Sequence, residues 1–154
     1  MNKIAVFAGS FSPFTKGHED IVSKALPLFD QVVIAIGQNA QKKDAFTVEQ
    51  RLSWIKEIYA DNPKVVVVDY QGLTIDLCHR LGAQYLVRGI RNTIDYAAEQ
   101  ELAAINHELA PDVQTVFLPC SLEWSMVSSS MVRELWSHHV DYSKYLSYKL
   151  PEIP

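Results

Sequence analysis

The sequence predicts an α/β fold built on an open parallel sheet of five strands, with helices on both faces. Five short apolar runs alternate along the chain with five segments whose apolar residues recur at helical spacing. The runs are apolar at almost every position, which is typical of strands covered on both faces. No linker, repeat or low-complexity segment interrupts the 154 residues. We therefore predict one domain, 1–154, in which residues 142–154 form a C-terminal tail.

The strands are predicted from runs rich in β-branched and other apolar residues. In chain order these runs are KIAVFA (3–8), VVIAIG (32–37), KVVVVD (64–69), YLVRG (85–89) and VQTVFL (113–118). Strict alternation of strand and helix favours parallel neighbours joined by crossover helices. The predicted arrangement is Rossmann-like, and in such sheets ligands bind beyond the carboxyl ends of the strands.

The first four helices are predicted from apolar residues that fall on one helical face. These residues are Ile21, Val22, Ala25 and Phe29; Val48, Leu52, Ile55 and Tyr59; Ile75, Cys78 and Leu81; and Ala98, Leu102, Ile105 and Leu109. The second helix also begins with a capping box, TVEQ (47–50), and the fourth is expected to stop near Pro111. The fifth starts in SSSMVRELW (128–136), where a serine can cap the helix.

The composition limits the classes of function. The net charge is -4, whereas a general nucleic-acid binder is usually basic, so we expect no nucleic-acid partner. Any anionic ligand would need a local cluster of cations. No apolar run approaches the roughly 18 residues of a membrane helix, and the N-terminus does not resemble a signal peptide. We therefore expect no membrane partner. Because Cys78 and Cys120 are the only two cysteines and lie far apart, we expect buried free thiols in a cytoplasmic protein.

The loop after the first strand, Gly9 to Lys16, has the outline of a phosphate site. Gly9 would let a ligand approach the backbone, and Thr15 can cap the next helix, whose free N–H groups attract anions. The loop matches neither GxGxxG nor GxxxxGK[ST], so an ordinary connection stays an alternative. His18 follows in the first turn, where a cationic ring opposes the helix dipole. It is either a structural residue or a ligand for the same phosphate.

Two further strand-end loops carry cations. Loop 37–46 is long for a strand–helix connection, and its Lys42 and Lys43 either are solvated or reach a bound phosphate. The fourth strand ends in RGIRN (88–92), whose arginines suit bidentate phosphate binding. The first of these arginines could instead pair with Glu99 on the next helix, or Glu99 could contact a ribose.

The segment after the fifth strand, PCSLEWSMVSSSMVRE (119–134), brings three serines to the start of a helix. Hydroxyls and free N–H groups together suit phosphate. GxSxG is absent, which argues against a serine hydrolase. Trp124 is either a core residue or the wall of a ligand site. The histidines show no zinc spacing, so no metal-binding residue is predicted, and Mg²⁺ is expected only with a nucleotide's phosphates.

Four motifs together resemble the nucleotidylyltransferase superfamily and, within it, the bacterial phosphopantetheine adenylyltransferases. They are TKGH (15–18), an instance of [HT]xGH; the lysine pair of the second loop; RGIR (88–91); and EWSMVSSS (123–130). The resemblance covers nearly the whole chain in the order and spacing of the family. It implies transfer of adenylyl from ATP to 4′-phosphopantetheine, which gives dephospho-coenzyme A and pyrophosphate in coenzyme A biosynthesis.

The resemblance also implies roles for individual residues. His18 and Lys42 are implied as catalytic groups, with Mg²⁺ accompanying ATP. The acceptor is expected to contact Ser10, Lys42, Thr74 and Arg88. ATP is expected to contact Ser10, Phe11, His18, Gly89, Ile90, Arg91, Glu99, Trp124, Ser125, Met126, Val127, Ser128, Ser129 and Ser130. The family further implies a homohexamer that coenzyme A inhibits.

The sequence departs from the family pattern at several positions. Ser10 and Ser12 stand where the family usually has Thr and Asp, and Ala97 replaces an acid in DYAAE (95–99). The tail also matches poorly. Two alternatives therefore stay open. One is a related nucleotidylyltransferase with another phosphorylated acceptor, such as nicotinamide mononucleotide. The other is a non-catalytic module that binds a nucleotide or coenzyme A.

Overall fold

A computed structural model describes residues 2–39, 41 and 43–153. The strands are β1 (Ile4–Gly9), β2 (Gln31–Gly37), β3 (Val65–Tyr70), β4 (Tyr85–Ile90) and β5 (Gln114–Pro119). The helices are α1 (Lys16–Ala25), α2 (Val48–Ile58), α3 (Thr74–Leu81), α4 (Thr93–Leu109) and α5 (Ser129–Ser137). Short 3₁₀ turns lie at Leu122–Trp124 and Ser143–Tyr145.

All five strands are parallel, in the order β3-β2-β1-β4-β5. This order confirms the predicted Rossmann-like sheet, and every predicted strand is present with its ends shifted by about one residue. The chain crosses from β1 to β2 on one side and reaches β4 on the other. The strand order therefore reverses at β1, and the crevice beyond the carboxyl ends of β1 and β4 is where such a sheet binds ligands.

Apolar side chains alternate between the two faces of the sheet, as the strand period requires. One core cluster joins Phe7 of β1 and Ile34 of β2 to the buried faces of α1 and α2. The other joins Val6 and Val33, their immediate neighbours in sequence, to α3 and to the turn after α4. Helices therefore cover both faces, as predicted. Within the described residues, no helix is long and apolar enough to cross a membrane.

One local expectation needs correction. Phe29 was predicted on the first helix, but α1 ends at Ala25 because Pro27 cannot continue it, and Phe29 enters the core from the following turn. The predicted tail forms the 3₁₀ turn Ser143–Tyr145, and it docks on the body through a third apolar cluster. That cluster includes Phe46, Trp54, Val132, Trp136, Leu146, Tyr148 and Leu150.

Candidate active site

A cavity of about 340 Å³ opens beyond the carboxyl ends of β1 and β4. Its walls come from the loop after β1, the first turn of α1, the end of β4 and the N-terminus of α5. Two helix N-termini, near Gly17 and Ser129, therefore meet at one crevice. Free backbone N–H groups and the positive ends of two helix dipoles make this crevice suited to phosphate groups.

His18 lines this cavity and belongs to the cap of α1. The Thr15 backbone N–H donates to His18 Nδ1 at 2.9 Å, and the His18 backbone N–H donates to Thr15 Oγ1 at 3.4 Å. This is a capping box in which histidine takes the place of the usual glutamate or glutamine. Because Nδ1 accepts a hydrogen bond, the neutral ring carries its proton on Nε2. His18 thus offers an N–H donor to the cavity.

The surroundings of His18 keep its ring neutral. Phe14 stacks on the ring at 5.2 Å between centroids, and Phe11 contacts it edge-on at 5.0 Å. Burial, and then the positive charges of Arg91 and Arg88, lower the pKa of His18 from 6.5 to about 4. The sequence-based expectation of an unfavourable cation in the first turn is therefore wrong, because a neutral ring stabilises the cap.

Arg88, at the end of β4, is held by Glu99 of α4. Its Nε and Nη2 donate to the two carboxylate oxygens at 2.6 and 2.7 Å, and Nη1 donates to the Ala8 carbonyl at 2.8 Å. Of the two roles considered for Glu99, the structure shows the pairing with arginine. Both side chains line the cavity and are half-buried, so the pair fixes where the guanidinium lies.

Arg91, in the loop after β4, is also held by a carboxylate. Its Nε donates to Asp95 at 3.0 Å, and its Nη1 donates to the Val127 carbonyl at 3.3 Å. The second contact joins the loop after β4 to the segment that leads into α5. Both cavity-lining arginines thus have a carboxylate partner.

The serine run uses its hydroxyls for structure. Ser128 caps α5 by accepting from the Met131 N–H at 3.1 Å, and Ser129 Oγ donates to the Pro13 carbonyl at 2.8 Å. Ser130 Oγ accepts from Arg133 at 3.4 Å. Ser128 and Ser129 line the cavity. What this helix start offers an anion is therefore chiefly its backbone N–H groups.

Gly9 lines the cavity, where a ligand was expected to approach the backbone, and it also makes room for Phe11. A Cβ there would lie 3.0 Å from the ring of Phe11, so a larger residue would crowd the loop's own side chain. Phe11 itself has a φ of 46°, which is unusual for a bulky residue and marks a tightly folded loop. At Gly89 a Cβ would lie 2.8 Å from Ile21 Cγ1, so this glycine allows α1 to sit close to β4.

The structure brings together only part of the predicted set. The predicted residues that line the cavity are Ser10, Phe11, His18, Arg88, Gly89, Arg91, Glu99, Val127, Ser128 and Ser129. The others are not among its lining residues: Ile90, Trp124, Ser125, Met126 and Ser130. Met126 is 82% exposed, and Lys16 lies over the Trp124 ring at 5.8 Å. Lys42 lies outside the described residues.

Thr74 lies beside a second, more open cavity that shares Gly9 and Ser10 with the first. Thr74 Oγ1 is 2.7 Å from the hydroxyl of Tyr70, and Tyr70 lines that cavity together with Gln38. The two cavities meet at Ser10. A substrate with a phosphate at one end and a long body at the other could therefore use both.

Sequence reasoning missed Arg51, which braces the loop after β1 from below. This arginine is 3% exposed, and its Nη1 donates to the Ser10 carbonyl at 2.6 Å. Its Nη2 lies 3.4 Å from Asp44, in the loop before α2. The signal was present, because Arg51 lies on the same helical stripe as Val48 and Ile55, where an unpaired charge would be costly.

Ser12 and Cys120 add two smaller observations. Ser12 is 1% exposed, and within the described residues its hydroxyl has no hydrogen-bond partner, at the position where the family usually has an acid. Arg133 donates to the Ser12 backbone carbonyl. Cys78 is buried as expected, whereas Cys120 is only half-buried and lines the cavity.

Comparison with known proteins agrees with this geometry. The sequence model of the cytidylyltransferase-like family matches residues 6–135. A phosphopantetheine adenylyltransferase from Porphyromonas gingivalis is 49% identical over 93% of this chain and 93% of its own length. Another, from Flavobacterium psychrophilum, is 47% identical over 90% of this chain and 91% of its own. The crystal structure of a bifunctional NMN adenylyltransferase/ADP ribose pyrophosphatase from Francisella tularensis superposes on this chain with a TM-score of 0.72 at 19% sequence identity. The match covers 98% of this chain and 46% of that one, and it shows that the two share a fold.

Proposed function

Because this chain belongs to the cytidylyltransferase-like family and, within it, to the phosphopantetheine adenylyltransferases, we propose that it transfers the adenylyl group of ATP to 4′-phosphopantetheine. The products are dephospho-coenzyme A and pyrophosphate. A phosphate oxygen of 4′-phosphopantetheine attacks the α-phosphorus of ATP. The bond from that phosphorus to the bridging oxygen breaks, and pyrophosphate leaves with the electron pair.

One observation carries this proposal: a neutral histidine is fixed as an Nε2–H donor in a crevice that also presents two arginines and two helix N-termini. The attacking phosphate is already anionic, so the reaction needs no general base. It needs preorganised donors where charge develops on the α-phosphoryl and on the leaving group. His18 suits that task, because a donor held in place before reaction costs no reorganisation during it.

We assign the substrates to the two adjoining cavities. The phosphate of 4′-phosphopantetheine would lie near Ser10 and Arg88, with Lys42 reaching it from the loop after β2, and Thr74 would lie along its pantetheine arm. ATP would lie between α1 and α5. It would contact His18, Arg91 and the start of α5, with the segment from Trp124 to Ser130 around it.

Mg²⁺ would enter with the phosphates of ATP and ease departure of pyrophosphate. The two carboxylates that line the cavity, Asp95 and Glu99, are each paired with an arginine. The phosphates themselves, in place of these side chains, are therefore the ligands we expect for the ion.

We also propose that the chain assembles with copies of itself, as the hexamer implied by its family, and that coenzyme A competes for the same cavities. Helix α4 has no buried residue in the isolated chain. It exposes a set of apolar side chains: Ile94, Leu102, Ile105 and Leu109. Such a face favours burial against another protein surface.

The function is tested by pyrophosphate release from Mg²⁺–ATP, with and without 4′-phosphopantetheine. We expect release that requires the acceptor and that falls by roughly 10²–10³ in His18→Ala, the usual cost of losing a transition-state donor. His138→Ala, at an exposed histidine outside the cavity, is the matched control. An enzyme whose His18→Ala variant keeps most of its turnover would contradict the role of His18.

The same assay separates the alternatives. Release with nicotinamide mononucleotide in place of 4′-phosphopantetheine would indicate a related transferase with another acceptor. Binding of ATP without release in the presence of any acceptor would indicate a nucleotide-binding module. The replacements at Ser12 and Ala97 would then be the first positions to restore to acids.

A further inference from the structure

Tyr148 of the tail donates a hydrogen bond to the loop after β1, which leads directly to His18. Its hydroxyl donates to the backbone carbonyl of Phe14, a residue 134 positions earlier in the chain. The Tyr148 ring stacks on Trp54 of α2 at 5.0 Å between centroids with an interplanar angle of 19°. The ring is thus fixed independently of the hydroxyl, which then has a defined direction.

The Phe14 carbonyl and the Thr15 N–H belong to one peptide group. That N–H is the donor to His18 Nδ1 at 2.9 Å. Because a peptide group is planar and rigid, fixing its carbonyl also fixes the direction of its N–H. Hydrogen bonds in such a chain also polarise one another, so a donor at the carbonyl strengthens donation by the N–H.

We propose that Tyr148 is a positioning residue for the reaction, because its hydroxyl holds the 14–15 peptide group in the orientation that sets the tautomer and the direction of His18. The proposal rests on the function proposed above for His18. The relay runs from the Tyr148 hydroxyl through one peptide group to Nδ1, and it leaves the Nε2–H to face the α-phosphoryl group. Tyr148 itself touches no substrate.

A neighbouring contact supports the same role for the tail. Ser147 Oγ donates to the Glu19 carboxylate at 2.6 Å, and Glu19 directly follows His18 on α1. Two successive tail residues therefore contact the chain just before and just after His18. The tail fixes this turn from outside the cavity, while the Phe14 ring packs on the imidazole from within.

The test compares Tyr148→Phe with Tyr142→Phe in the full chain. Tyr148→Phe keeps the stacked ring and removes the hydroxyl. Tyr142→Phe removes a hydroxyl that accepts from the Leu150 N–H at 2.8 Å and donates to the Leu150 carbonyl at 3.5 Å, both within the tail. Tyr142→Phe therefore weakens the tail at least as much as Tyr148→Phe does, but only Tyr148→Phe breaks the relay.

Two measurements are made on each protein. ¹⁵N-resolved spectra of the His18 imidazole report which nitrogen carries the proton, and steady-state kinetics separate kcat from KM. In Tyr148→Phe we expect partial transfer of the proton from Nε2 to Nδ1, a kcat lower by about five- to tenfold and a KM for ATP within about twofold. Tyr142→Phe should match the wild type in both.

Unchanged His18 nitrogens or an unchanged kcat in Tyr148→Phe, or equal changes in Tyr142→Phe, would overturn the proposal. The spectra do not depend on turnover. A wild-type chain without transferase activity would therefore overturn the proposed function, while the His18 nitrogens would still show whether the relay exists.

Discussion

Replacing His18 by glutamine separates two properties of this residue: its capping of α1 and the protonation of its imidazole. Glutamine at this position restores the usual capping box, as Gln50 already shows in α2, where its Oε1 accepts from the Thr47 N–H at 2.9 Å. The variant should therefore fold with α1 capped. What it loses is the imidazole, whose neutral form the folded protein favours over the cation.

The magnitude follows from the pKa of His18. Folding lowers this pKa from 6.5 to about 4, which corresponds to a difference of about 3 kcal/mol between the two protonation states. Between these pH values the unfolded chain binds the proton and the folded protein does not. The free energy of unfolding therefore falls as the pH drops from 6.5 to 4, and above 6.5 the imidazole contributes no pH dependence.

Urea unfolding at pH 7.5 and at pH 4.5, at one protein concentration, measures this contribution. The other histidines and the carboxylates titrate in both proteins, so the difference between wild type and His18→Gln isolates one side chain. We expect the wild type to lose about 2 kcal/mol more than His18→Gln over this interval. Equal losses in the two proteins would refute the claim that the fold holds His18 neutral.

Two further predictions test the surroundings of the site. Glu99→Gln should raise the KM for 4′-phosphopantetheine about tenfold, because Arg88 loses the carboxylate that fixes its guanidinium. Glu101→Gln changes an exposed residue of the same helix and should leave this KM unchanged. Equal changes of KM in the two variants would contradict the role of the Arg88–Glu99 pair. Ile105→Lys should dissociate the proposed oligomer in sedimentation experiments, because it charges the apolar face of α4, whereas a wild-type chain that sediments as a monomer would contradict that assembly.

The sheet was predictable because the signal is repeated along the chain. Each strand is a continuous apolar run, and each helix has either an apolar stripe or a recognisable cap, so five repeated strand–helix units predict one fold class. The end of α1 was missed because apolar spacing continued to Phe29 beyond the break at Pro27. Apolar periodicity alone does not show that a proline within the pattern ends the helix.

Site residues were predictable from the sequence only where a local motif or a strand-end position identified them. Strand-end position identified His18, Arg88 and the start of α5, because parallel strands bring their following loops together. Contacts such as Arg51 with the Ser10 carbonyl and Tyr148 with the Phe14 carbonyl join residues 41 and 134 positions apart, and no local pattern encodes them. The neutral state of His18 likewise depends on rings and charges that only the folded chain assembles.

The central place of β1 in the sheet has a consequence for local unfolding of the protein. This strand has neighbours on both sides and is buried along most of its length, whereas β3 and β5 are edge strands and only partly buried. Local opening begins where backbone hydrogen bonds are least protected. In amide hydrogen exchange the edges should therefore exchange first, and β1 should be among the last strands to exchange, together with β2. The loop after β1 leads directly into the helix that bears His18, so transient opening of the sheet edges can occur without disrupting this part of the crevice.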